Sequence, residues 1–174
     1  MRATEALGHL GLLAVSALVQ ALGDPAAEVR LTATRAVSRL GPTAQEAAPA
    51  LIGLLAADRD VGVRGSAAEA LGALGAHRAI PALAQSLKDP DPDVRSSATL
   101  ALGQMGPRAR DAIPALTETL ADPQPTVALS AILALGRIGP DARGAIPSLV
   151  HELADPRPLV RALASQALRE IDEP

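Results

Sequence analysis

Residues 80–106 contain the stretch that decides the fold. It reads Ile80-Pro81-Ala82-Leu83, then Asp89-Pro90-Asp91-Pro92-Asp93-Val94-Arg95, then Ala101-Leu102-Gly103-Gln104-Met105-Gly106. From Val94 the apolar residues fall at Val94, Ala98, Ala101, Leu102 and Met105. That spacing is the stripe of an α-helix and not the alternation of a strand. Pro92 suits the first turn, where its missing N–H costs nothing, and Asp91 is a good cap. Gly106 suits a left-handed C-terminal position, and Pro107 blocks continuation. Pro81 opens an earlier helix by the same logic, running about eight to ten residues toward Asp89. The stretch reads as two helices in succession.

The same three words recur along the chain. Prolines of the first word stand at Pro49, Pro81, Pro114 and Pro147, in steps of 32, 33 and 33 residues. A degenerate copy, Val15-Ser16-Ala17-Leu18, precedes them. Asp24, Asp58, Asp89, Asp122 and Asp155 open the second word, each five residues before a valine: Val29, Val63, Val94, Val127 and Val160. The third word ends at Gly11, Gly41, Gly75, Gly106 and Gly139. One helix pair cannot bury its stripe alone, but stacked pairs share a continuous core. The expectation is an all-α superhelical solenoid, one domain over 1–174. Its repeats lie at approximately 1–11 (partial), 12–45, 46–77, 78–110, 111–143 and 144–174. The leading half-repeat reads either as a cap or as the edge of a longer array.

Composition narrows the functions. The chain has 174 residues and a net charge of -3, from 16 Lys and Arg against 19 Asp and Glu. Near balance gives no strong field for nucleic acid. Hydrophobic residues make up 48%, with no aromatic residue and no cysteine. Without rings, stacking on bases or methylated amines loses its usual anchor. Without cysteine, disulfides, thiolate metal sites and cysteine catalysis are excluded. The Leu10–Leu18 stretch after Arg2 has signal-like order. It lies in repeat register, however, and the solenoid core claims its apolar residues. No apolar run reaches the ~18 residues needed to cross a membrane. A cytoplasmic chain with no membrane partner is expected.

The pattern resembles HEAT repeats, most closely the short HEAT-like repeats of the phycobilisome lyase type. Its carriers are the Pro-Ala-Leu helix start, the six-residue Asp-to-Arg spacing and the Ala-Leu-Gly-x-Leu-Gly helix end. The resemblance implies an Asp–Arg ladder between neighbouring repeats. Its members here are Asp24 and Arg30, Asp58 and Arg64, Asp89 and Arg95, and Asp155 and Arg161. Ala128 replaces the arginine of the fourth copy, which puts one rung in doubt.

No catalytic set stands out. Asp89 to Asp93 opens like a calcium loop, but Val94 and Leu100 occupy the positions that need Gly and Glu. One HEAT enzyme family, deoxyhypusine hydroxylase, holds iron through His-Glu pairs just after the Val-Arg word. The matching positions here are Gly65-Ser66, Ser96-Ser97, Leu129-Ser130 and Ala162-Leu163. His151-Glu152 lies on a first helix and occurs once. No metal, cofactor or enzymatic activity is expected.

The repeats differ on the second-helix face opposite the core stripe, which in HEAT-like stacks lines the concave surface. Counted from each valine, its offsets are 2, 5, 6 and 9. Offset 6 reads Arg35, Glu69, Leu100, Leu133 and Gln166. With Leu129 and Ile132 the middle is apolar and the ends are polar or basic, the pattern of a binding patch with a rim. Glycines at offset 9 would admit a partner to the backbone. The leading expectation is a non-catalytic scaffold binding a protein or peptide there. The alternatives are an accessory subunit of a bilin-lyase-like enzyme and a weak nucleic-acid binder using Arg35, Arg39, Arg137 and Arg169.

Overall fold

The computed structural model describes residues 13–173. Residues 13–21 are helical and form α1. The helices that follow are α2 (Ala27–Leu40), α3 (Ala48–Ala57), α4 (Val61–Leu74), α5 (Ile80–Ser86), α6 (Pro92–Met105), α7 (Ile113–Thr119), α8 (Pro125–Ile138), α9 (Ile146–Glu152) and α10 (Pro158–Asp172). No strand occurs among the described residues. The partial repeat expected at residues 1–11 lies outside them.

The helices form two layers. The odd-numbered helices are the shorter ones, and α3, α5, α7 and α9 start at the Pro-Ala-Leu words or a near match. Their leucines Leu51, Leu83, Leu116 and Leu149 are fully buried. Leu71, Leu102 and Leu135 of the even helices join them in one continuous core cluster. Burying each such leucine is worth about 2 kcal/mol. Even helices pack intimately on their even neighbours, whereas odd helices barely meet one another. The even helices thus form the continuous inner layer of the stack, the face expected to be concave.

A feature absent from the sequence reading joins each even helix to the next odd one. Residues Gly106–Ala112 and Gly139–Ala145 form 3-10 segments, and Gly41–Ala47 forms two such turns broken by a kink at Ala44. Their alanine pairs Ala44/Ala47, Ala109/Ala112 and Ala142/Ala145 are wholly buried. Residues three apart share a face in 3-10 geometry, so each segment lays a small apolar edge on the stack. The fourth such segment, His77–Ala79, has three residues instead of seven.

The helix-end glycines explain that difference. Gly75 takes φ 61 and ψ 33, and the Ala76 N–H donates to the Leu71 carbonyl at 3.2 Å. This is a left-handed Schellman ending. Gly106 keeps a positive φ but extends to ψ -134. Pro107 follows it, and proline excludes the helical ψ in the residue before. Where Gly-Pro occurs the chain runs into a seven-residue segment. Where Gly-Ala occurs it turns at once.

Candidate partner-binding face

The even helices owe their spacing to small residues in register. A Cβ on Gly72 would lie 2.8 Å from the Ala101 Cα, and one on Gly103 would lie 3.0 Å from the Ala134 Cα. Gly136 meets Ala167 in the same way, at 3.0 Å. Each pair joins offset 9 of one repeat to offset 7 of the next. These glycines therefore admit the neighbouring helix and not a partner, which corrects the expectation that they open the backbone to a ligand. Gly72, Gly103 and Gly136 are all buried.

Offset 5 also belongs to the stack. Ile132 is 1% exposed and leaves the candidate surface. The reason is geometric: an interior even helix is flanked by its own odd helix and by two even neighbours, so its buried arc is wider than one stripe. Thr34 and Thr99 occupy the same register, fully buried. Their hydroxyls donate to the Arg30 and Arg95 carbonyls, each at 2.7 Å.

What remains open is the offset-6 row. Arg35, Glu69 and Gln166 are exposed, Leu100 is 38% exposed and Leu133 is half-buried. Leu129, half-buried, lies four residues before Leu133 and shares its face of α8. Leu100 on α6 holds the register that Leu133 holds on α8. The row has few internal bonds: Glu69 accepts from the Ser97 hydroxyl at 3.3 Å, and Gln166 donates to Glu170 at 2.8 Å. It presents a narrow apolar centre, Leu100, Leu129 and Leu133, between polar ends. Arg35, Arg39, Arg137 and Arg169 are exposed on three different helices.

The Asp–Arg ladder holds this face in shape, with pairings different from the sequence words. Arg30 donates through Nε and Nη2 to Asp58 at 2.6 and 2.8 Å. Arg64 grips Asp89 and Arg95 grips Asp122 by the same fork. Every rung thus crosses to the next repeat, and Asp122 is a member that the expected ladder pairs left out. Within a repeat, Arg30, Arg64 and Arg95 instead donate Nη1 to the backbone carbonyls of Asp24, Asp58 and Asp89. Asp24 accepts from the Ala26 amide at 2.8 Å.

Because position 128 is alanine, Asp155 receives no such fork. Arg157, two residues on, donates to it at 2.8 and 2.9 Å instead. Arg161 donates Nη1 to the Asp155 and Pro156 carbonyls. The electrostatics follow the pairing. The Arg30 fork holds Asp58 below the usual carboxylate range, against burial, and the Asp60 amide adds to it. At Asp89 burial works upward, but Arg64 and the Asp91 amide outweigh it and the net shift is down. The Arg95 fork lowers Asp122. Arg157 brings the half-buried Asp155 to about 2. Among the described residues, no three His, Asp or Glu groups gather as metal ligands. No helix among them is long and apolar enough to cross a membrane.

Stacked helix pairs with a shared core and a cross-repeat ladder define an α-solenoid repeat protein. A family model for HEAT repeats matches residues 1–72, 48–126 and 80–169, and the chain belongs to that family. No curated protein matches the chain. Among solved structures, a chain in the complex of CpcE and CpcF of phycocyanin lyase from Nostoc sp. PCC7120 is similar, with a TM-score of 0.79 and 26% identity. The match covers 91% of this chain and 65% of that one, so this chain spans about two thirds of the lyase chain's length. A designed armadillo repeat protein in complex with the peptide (KR)4 gives a TM-score of 0.77 at 21% identity, covering 91% and 82% of the two chains. An engineered protein gives 0.75 at 24%, covering 90% and 80%.

Proposed function

We propose that the protein is a non-catalytic interaction module that holds a partner protein or peptide along the concave row of its even helices. The observation carrying this reading is the apolar trio of exposed Leu100 and half-buried Leu129 and Leu133 between polar ends, on a surface whose backbone polar groups are already paired within helices. Such a surface can offer side-chain contacts without rearranging, which lowers the ordering cost of binding. A helix or extended segment fits the narrow row better than a globular face. The designed armadillo protein supports the reading as a solenoid of the same shape that holds a peptide. The likeness to a lyase chain rests on fold, and fold alone carries no activity.

The test is affinity capture of partners from lysate of the source organism, with the parent chain and a Leu100→Asp/Leu133→Asp variant in parallel. Circular dichroism must first show the variant to be as helical as the parent. Loss of a specific captured protein in the variant is expected. Equal capture by both would overturn the assignment of the face.

A further inference from the structure

The short His77–Ala79 connection leaves a cleft on the outer side of the stack, away from the concave row. From Gly75 to Ile80 is five residues, whereas Gly41 to Ala48, Gly106 to Ile113 and Gly139 to Ile146 are each seven. The two missing residues are the Pro-x of the Gly-Pro-x-Ala pattern, since Ala76 follows Gly75 directly. The seven-residue segments Gly106–Ala112 and Gly139–Ala145 pack on each other, and His77–Ala79 makes no comparable contact with its follower. A cleft of about 860 Å³ opens there. That volume lies within the range of small-ligand and peptide pockets.

Its chemistry is lopsided. Ile80, Pro81 and Ala84 supply an apolar floor. His77 and Arg78 of the short connection and Arg108 of the following segment also line the cleft. Neither arginine has an ion-pair partner among the described residues, and both are exposed. The Arg108 Nη1 reaches to 3.7 Å from where a Gly75 Cβ would stand, so its head overhangs the missing segment. Arg110, Asp111 and Asp141 complete the lining, and Arg110 and Asp111 offset each other at 3.9 Å.

We infer that this cleft is a second binding site, for a peptide segment that places a carboxylate between Arg78 and Arg108 and an apolar side chain on Ile80, Pro81 and Ala84. Guanidinium forks match carboxylates in geometry and charge. The site does not depend on the concave-face reading.

The test is a fluorescence-anisotropy titration of the full chain with a labelled short peptide of alternating Glu and Leu, against one of alternating Lys and Leu. The Glu-Leu peptide should saturate, and its affinity should fall as salt rises. Arg78→Glu with Arg108→Glu should weaken it by about tenfold or more. So should inserting Pro-Thr between Gly75 and Ala76, which restores the seven-residue connection and closes the cleft. Leu100→Asp should leave this affinity unchanged, which separates the site from the concave face. Failure of the Glu-Leu peptide to saturate, equal binding of the two peptides, or full affinity in both altered chains would overturn the proposal. Should either altered chain lose helicity, hydrogen exchange on the parent decides. Peptide-dependent protection at residues 77–84 and 107–111 supports the site, and its absence there overturns it.

Discussion

Arg64 and Asp89 face each other across the boundary between two repeats, joined by two parallel bonds of 2.9 Å each. Both side chains are nearly enclosed, at 13% and 10% exposure. A third arginine bond, from Nη1 to the Asp58 carbonyl at 3.0 Å, ties the same side chain to the start of its own helix. One guanidinium thus fixes both the loop before α4 and the placement of the next repeat. Arg64→Ala should lower stability by roughly 1–3 kcal/mol, because it leaves the Asp89 carboxylate without its partner in a partly desolvated site. Asp89→Ala should cost a similar amount. The double variant should lose less than the sum, and urea unfolding of the four chains in a double-mutant cycle measures that coupling.

The missing fourth rung predicts a gain. Ala128 occupies the register of Arg30, Arg64 and Arg95 and is almost buried. Ala128→Arg can offer Asp155 the same cross-repeat fork, displacing the local bond from Arg157. A stabilisation of about 1 kcal/mol would raise Tm by roughly 2–4 °C in a chain of this size. A calorimetric scan checks it. A lowered Tm would show that the local Arg157–Asp155 pair is the better arrangement here.

The glycine contacts predict opposite signs for one kind of substitution. Gly72→Ala places a Cβ 2.8 Å from the Ala101 Cα and 2.9 Å from its Cβ. The helices must part, and the cost should be about 1–3 kcal/mol despite the better helix former. Gly53→Ala meets nothing within 4 Å on exposed α3 and should gain about 0.5–1 kcal/mol from propensity and unfolded-state entropy. Denaturant midpoints of the two variants read the difference.

The ladder also sets the response to acid. The carboxyls of Asp58, Asp89 and Asp122 titrate lower in the folded chain than usual. Their stabilisation is therefore fully present above the unfolded aspartate value of about 3.9. It is lost as pH falls through the lowered folded values. From these groups, stability should be flat between neutral pH and about pH 5 and should decline below about pH 4. Urea midpoints across that range test the sign. A rise in stability on acidification would contradict the pairing.

Much of this fold is legible in the sequence because each word does local work. Pro92, Pro125 and Pro158 open α6, α8 and α10, and the valine-based stripe marks the face each helix turns to its odd partner. The candidate surface was less legible. Ile132 and the offset-9 glycines read as exposed because one helix has one obvious stripe, whereas a stacked helix is buried on several sides. The signal was present in the pairing of Gly103 with Ala134, small residues in fixed register on consecutive helices. Ladder partners were hidden for a related reason. Asp89 and Arg95 are neighbours in sequence, but an arginine long enough to reach its own repeat's carbonyl also spans to the next repeat's carboxylate. The 3-10 segments left only faint marks, buried alanines three apart between Gly-Pro and the next helix.

Site-specific photo-crosslinking tests the interaction reading most directly. A photoreactive residue at position 100 probes the middle of the concave row, and one at position 53 probes the exposed side of α3. Both chains would be irradiated in lysate of the source organism. A discrete adduct from position 100 with none of the same mass from position 53 is the predicted result. Identical adducts from both positions, or none from position 100 alongside a strong one from position 53, would contradict a partner site on the even helices.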